Sequence, residues 1–449
     1  MRCEVRPLRA LIVSYAFPPV GGAGVQRVLK LVKYLPQHGV TPSVLTAKDP
    51  SVPILDASLE RDVPPGTEVL RARTLEPGYG AKKLVWQAAA RRPSDSIVSR
   101  FKCNVVGLGR RLLVPDPQLL WLPAAHRVLA RRLCSERKDD VVFISGPPFS
   151  QFLLAAVARF WPDTAVVLDY RDEWTTTSSA FEMAGSARTS ALLEPAVLRC
   201  AHAVTTATDE FRAALLARFS FLDPARVLAI PNGYDPEDFP PGLPAPPADR
   251  FVLTYAGTVF RLTSAKGLIE GVRLFRARAP ELARLLEIRF VGRIVDTEER
   301  YFEGSEALGI RRLGYLEHAR AVEQLAESHA ALCILDDVNG VERIYPAKIF
   351  EIMQLGRPCL ALTPEGALAE LVRRHRVGEV VAPRDPEAIA SALTRMLSRF
   401  RDGIPAAATV PVDIERFDRR LQAGQFAEVF RMALAGVRAL RAGRGRSAG

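Results

Sequence analysis

A chain of 449 residues, 48% hydrophobic and 25% charged, is too long for a single core and too apolar for disorder beyond its ends, so two or three domains are expected. No apolar run reaches the roughly 18 residues that cross a bilayer, and residues 10–13 behind a basic start are too short for a signal-peptide core, which points to the cytoplasm. The six scattered cysteines, with no Cys-x-x-Cys pair, argue against a disulfide framework or zinc site; the formal charge of +11 calls for an anionic partner such as a nucleotide, a membrane surface or nucleic acid.

Residues 9–15 form a continuous apolar run, as a buried parallel strand requires. The loop Phe17-Pro18-Pro19-Val20-Gly21-Gly22-Ala23-Gly24 follows, then a periodic helix over about 25–35, with Val28, Leu31, Val32 and Leu35 on one face, ended by Pro36 and Gly39. A strand at 44–46 completes a βαβ unit whose glycine loop lies at the carboxyl end of its first strand, where α/β sheets place ligands. The loop is not G-x-G-x-x-G, and no acidic residue ends the second strand, so it is a poor dinucleotide fingerprint; its glycines serve either a close ligand approach or a tight turn.

From about 71 to 138 basic residues, among them Lys82, Lys83, Arg100, Arg110, Arg111, Arg127, Arg131 and Arg132, interleave with apolar ones. Such a pattern suits either a helix on an anionic membrane surface or a solvated arginine-rich face; no nucleic-acid-binding motif accompanies it. Strands are expected at 140–145, with a helix to 160, and at 165–169, running into Tyr170-Arg171-Asp172-Glu173-Trp174. Asp172 either orients or deprotonates a ligand hydroxyl or pairs with Arg171, the pair being the preferred reading. A helical segment over 194–216, a strand at 226–230 ending in an Asn-Gly turn, and a proline-rich linker over 236–248 follow.

The pattern then restarts. Strands are expected at 251–258, 286–292, 331–335, 359–362 and 378–382, with helices through 275, over 387–400 and over 414–440. Arg261 and Lys266 bracket the loop after the first of these strands and its Gly257. The stretch Tyr345 to Pro358 reads as a loop opening a helix, with Pro346 in its first turn, Ile349, Ile352 and Met353 on one face, and Gly356 and Pro358 ending it. Lys348 and Glu351, three apart, share a side, although a first-turn acid also simply suits the helix dipole. Two such sets joined by a linker read as two Rossmann-like α/β domains.

The Tyr345–Pro358 stretch resembles the donor-binding signature of the retaining GT-B glycosyltransferases of family 4, in the variant yPxKxFEy-(x)3-G-(R/K)-P. The fuller signature has a second glutamate eight residues earlier; this chain has Arg343 there and Glu342 beside it. FPPVGGAGVQR resembles the family's N-terminal element, residues 169–174 its DxRDxW element, and IPNGYD its IPNGxD element. The ordered set implies two facing Rossmann-like domains with a cleft between them: 1–240 for the acceptor, 250–410 for the nucleotide-sugar, a helix over 411–440 crossing back to the first domain, and a disordered tail over 441–449. It implies donor binding by Gly21, Gly22, Gly257, Arg261, Lys266, Tyr345, Lys348 and Glu351, with Asp172, Arg261, Lys266 and Glu351 in catalysis. The fixed cations would neutralise the leaving diphosphate, and no Asp-x-Asp of the metal-dependent kind is present. The resemblance thus implies metal-independent hexosyl transfer from a UDP- or GDP-linked sugar, a co-substrate rather than a cofactor, to a glycan or lipid-linked acceptor of the cell envelope. Peripheral attachment to the inner face of the membrane is compatible with the charge. Competing readings are a nucleotide-sugar epimerase of the same fold and a non-catalytic basic scaffold.

Overall fold

The computed structural model describes residues 6–80, 113–176, 187–404 and 410–446. The basic residues Lys82, Lys83, Arg100, Arg110 and Arg111 and the end of the tail, 447–449, lie outside them. The chain divides into two compact units, residues 1–230 with 422–449, and residues 231–421.

In the first unit, strands β1 (Leu8–Val13), β2 (Val40–Lys48), β3 (Glu68–Arg73), β4 (Val141–Gly146), β5 (Ala165–Tyr170), β6 (Ala203–Thr206) and β7 (Val227–Ala229) form one sheet. Their order is β3-β2-β1-β4-β5-β6-β7 and every pairing is parallel. Because successive side chains point to opposite faces, Ala10 and Ile12 join the core under helix α1 (Ala23–Tyr34), while Leu11 and Val13 join the one under α2 (Leu122–Leu133). The apolar residues of α2, Ala125, Leu129 and Leu133, are spent on that core, and Arg132 is buried in an ion pair with Asp139 at 2.7 Å; Arg127 and Arg131 are left to solvent. This part of the basic segment therefore covers a sheet.

The helical reading over 194–216 is corrected. Helices α3 (Ala187–Leu198) and α4 (Asp209–Arg218) are separated by the buried strand β6, whose Val204, Thr205 and Thr206 are β-branched and pair beside β5. The C-terminal helix runs from Arg419 to Arg446, so the tail expected to be disordered from 441 is helical through 446, its arginines and Ala442 favouring the helix against Gly443 and Gly445. From Gln422 onward this helix belongs to the first unit, where Phe426 and Phe430, one turn apart, lie 5.5 and 5.4 Å from Phe143 of β4.

The second unit repeats the plan with β8 (Phe251–Ala256), β9 (Leu286–Val291), β10 (Ile310–Gly314), β11 (Ala330–Ile334), β12 (Cys359–Leu362) and β13 (Gly378–Val381), all parallel, in the order β10-β9-β8-β11-β12-β13. Helices α5 (Lys266–Arg278), α6 (His318–Ala326), α7 (Lys348–Leu355), α8 (Ala367–Arg374) and α9 (Pro386–Arg401) cover it. Gly267 and Gly271 of α5 face the chain at α9: a Cβ on Gly267 would stand 1.9 Å from the Pro383 carbonyl oxygen, and one on Gly271 2.5 Å from Ile389. In each sheet the winding reverses between the first strand and the fourth, β1 and β4, β8 and β11, and the loops at the carboxyl ends of those strands form the ligand-facing edge.

Candidate functional site

In the second unit the loop leaving β8 begins at Gly257, with φ of 156°, and runs against Gly292, where a Cβ would lie 2.1 Å from the Gly257 carbonyl oxygen. The loop closes on itself: Tyr255 Oη donates to the Thr258 carbonyl at 3.0 Å, Thr263 Oγ1 donates to the same carbonyl at 2.8 Å, and the Phe260 N–H donates to Thr263 Oγ1 at 3.1 Å. Helix α5 then starts from Ala265, which has no side-chain oxygen to cap it, and no acid stands in its first turn; Ser264 Oγ reaches the Lys266 N–H at 3.4 Å. Such an end carries a positive dipole and N–H groups that suit an anion. Arg261 is exposed and, among the described residues, has no charged partner; the Lys266 ammonium is 3.9 Å from Glu270 and its side chain is 57% exposed. Both cations are thus available.

The neighbouring strand β11 feeds a loop tied to the first by the Asp336 N–H, which donates to the Leu262 carbonyl at 2.7 Å. That crossover ends in α7. The helix begins at Lys348, so Pro346 stands ahead of it and not in its first turn as expected; the Pro346 carbonyl accepts from the Ile349 N–H at 3.1 Å. Ile349, Phe350, Ile352 and Met353 are buried, and Gly356 ends the helix in the left-handed region with φ of 62°. The Lys348 ammonium donates to both Glu351 oxygens, at 2.9 and 2.8 Å, and Glu351 is only 8% exposed. Tyr345 packs edge-on to Phe350 at 6.1 Å. Arg343, where the fuller signature has a glutamate, is paired with its neighbour Glu342 at 2.6 Å. Sequence reasoning missed His318, which places Nδ1 3.5 Å from the Lys348 ammonium; a lone histidine thirty residues upstream carries no spacing signal.

In the first unit Gly22, with φ of 98°, is the residue before α1, and the Gly21 N–H donates to the Ile54 carbonyl at 3.1 Å. A Cβ on Gly22 would meet nothing within 4 Å, so its requirement is conformational. The expected Arg171–Asp172 pair does not form. Arg171 donates instead to the carbonyls of Gly24, Gly146 and Pro147, and among the described residues no ion pair joins it to Asp172. Burial raises the Asp172 carboxyl above the ordinary range, the Arg171 charge only partly offsetting it. The charge pair of this region is another one. Arg27, the arginine of FPPVGGAGVQR, meets the Asp169 carboxylate with Nη2 at 2.8 Å and Nε at 3.0 Å, both residues buried.

Residues 21–233 match the family described as glycosyl transferase 4-like domain, and residues 251–399 match glycosyl transferases group 1, between them well over half the chain. The chain belongs to this family of glycosyltransferases. It is similar to the D-inositol 3-phosphate glycosyltransferase of Stackebrandtia nassauensis, 29% identical over 187 residues, a match spanning 39% of this chain and 42% of that relative's length. A sucrose-phosphate synthase from Thermosynechococcus elongatus has the same fold at 17% identity, with a TM-score of 0.61 over 95% of this chain and 99% of that one. So does Anabaena HepE, solved with UDP and glucose, at 16% identity and a TM-score of 0.60 over 94% and 98%. The fold is the two-domain GT-B fold of these enzymes, and among the described residues no helix is long and apolar enough to cross a membrane.

This glycosyltransferase carries one further perturbed carboxyl beside its DxRDxW loop. Glu194 of α3 is fully buried, accepts from the Thr175 N–H at 3.2 Å and from Thr175 Oγ1, and burial pushes it up to about 7. The folded protein therefore holds this proton where the unfolded chain, at about 4.3, has lost it. Stability from this group falls as pH rises between those values, by about 4 kcal/mol at most. Glu194→Gln should remove that slope and raise the urea midpoint at pH 8 but not at pH 4; equal pH dependence of wild type and variant would refute it.

Proposed function

We propose that this chain transfers a hexosyl-type sugar from a UDP- or GDP-linked donor to an acceptor hydroxyl with retention of configuration. The observation that carries the reading is the pair of exposed cations at the carboxyl end of β8: Arg261 in the loop, with no charged partner among the described residues, and Lys266 at the start of α5, held only loosely by Glu270 at 3.9 Å. As the bond to the sugar breaks, a nucleoside diphosphate gathers negative charge, and fixed cations with a helix N-terminus stabilise that charge where it develops. These groups suit transfer without a metal ion. Lys348 adds a third cation, Glu351 accepts hydrogen bonds from donor hydroxyls, and Gly257 and Tyr345 shape the loops that hold them. In retention, the departing phosphate itself takes the acceptor proton. Gly21 and Gly22 leave room for phosphate or acceptor, and Asp172 orients the acceptor hydroxyl.

The charge of the chain suits a lipid-linked or envelope glycan acceptor at an anionic membrane face. Because Anabaena HepE was solved with UDP, that nucleotide is the first to try. Calorimetry with UDP, GDP and their sugars should show binding that EDTA leaves intact. Glu351→Ala should weaken donor binding about ten-fold, while Asp172→Ala spares binding and lowers transfer. Failure of the wild-type chain to bind any of these ligands would sink the reading.

A further inference from the structure

Lys348 is the cation whose surroundings are most completely built. Its ammonium spans both oxygens of Glu351 and, on another side, faces His318 Nδ1 at 3.5 Å. His318 opens α6 and is 8% exposed; its other ring nitrogen, Nε2, is 3.1 Å from Asp238 Oδ2. Asp238 ends the short turn Pro236–Asp238, a turn capped by Asp235, whose side chain accepts from the Glu237 N–H at 3.0 Å. The chemistry of the ring follows from its two neighbours. A carboxylate accepts only, so Nε2 carries the proton and donates it to Asp238. In the neutral ring with its proton on Nε2, Nδ1 carries the lone pair, and this is the form that accepts from an ammonium. The four side chains form an ordered line, Asp238 to His318 to Lys348 to Glu351, in which each donor has its acceptor.

We propose that His318 is a positioning residue of the donor site, fixing the Lys348 ammonium through Nδ1 and tying it to Asp238 through Nε2–H. A lysine has a long, freely rotating stem, and its charge is useful to a diphosphate only if it is held where the phosphate arrives. Glu351 alone would draw the ammonium onto itself when it must also serve donor hydroxyls. The lone pair of His318 gives Lys348 a second anchor without adding charge.

The inference rests on the reading of Lys348 and Glu351 as donor-site residues, and calorimetry of the full chain with UDP and with GDP separates the two. His318→Leu, which fills the site without either polar atom, should bind the nucleotide about ten-fold more weakly. His318→Gln, whose amide can donate to Asp238 and accept from Lys348, should stay within about three-fold of wild type. Binding by His318→Leu equal to wild type overturns the proposal, and so does an equal loss in both variants, which a purely packing role would give. Glu351→Ala tells the failures apart: if it is weakened and His318→Leu is not, only the role of His318 falls. If Glu351→Ala also binds as wild type, or the wild type binds neither nucleotide, the donor reading falls and this inference with it.

Discussion

Asp169→Asn should destabilise the first unit by about 4 kcal/mol, the largest loss expected of any single carboxyl here. The carboxylate has no solvent. It is held by Arg27 at 2.8 and 3.0 Å, by Ser145 Oγ at 2.6 Å and by Thr205 Oγ1 at 2.7 Å, so every acceptor site is used. Burial by itself would raise its pKa, but the Arg27 charge and these donors outweigh that and hold it below the ordinary range. Its contribution is therefore fully present above the unfolded carboxylate value of about 3.9 and is lost as pH falls through the lower folded value. Asparagine keeps the shape but removes the carboxylate charge that the buried Arg27 guanidinium meets at 2.8 Å. A double change to apolar residues of similar size should recover most of the loss, because removing one member of a buried ion pair costs more than replacing both. Urea unfolding followed by fluorescence reads both; an Asp169→Asn loss below about 1 kcal/mol would show the pair to be dispensable.

Gly267→Ala should cost the second unit about 3 kcal/mol. The obstacle is backbone: an added Cβ would lie 1.9 Å from the Pro383 carbonyl oxygen and 3.1 Å from its carbon, and no rotamer relieves it. Either α5 moves off the sheet or the segment leading into α9 shifts, and both carry core residues such as Leu268, Val272, Ile389 and Leu393. Gly78→Ala is the control, since nothing lies within 4 Å of that position and its φ is unrestricted; it should be neutral within about 0.5 kcal/mol. The same melting temperature for Gly267→Ala and wild type would mean that the two helices are less closely set than they stand here.

What could be read from the chain alone follows a physical division. Central strands of a parallel sheet are buried on both faces, so 141–144, 165–168 and 359–362 stand out as unbroken apolar runs. The edge strands β3 and β10 are half exposed, with Arg71, Arg73, Arg311 and Arg312 among their residues, and they leave no such trace. Strand β6 was masked by its threonines and by the helical runs on either side. The Lys348–Glu351 pair was legible because a single helix sets its spacing. Arg27 with Asp169, and His318 with Asp238 and Lys348, are joined only by tertiary folding across long stretches of chain. Arg171 shows the opposite case: its sequence neighbour Asp172 was the obvious partner, and three carbonyl oxygens supply a better one.

The discontinuous first unit has a consequence for biosynthesis. Phe426 and Phe430, which seal Phe143 of its central strand, are translated only after the whole of the second unit has been made. Until then the surface around Phe143, on the face that α1 shares with this helix, lacks part of its cover and stays bare or is shielded by a chaperone. The nested unit, contiguous in the message, can complete its own core while still tethered to the ribosome, so the half that starts first is the half that finishes last.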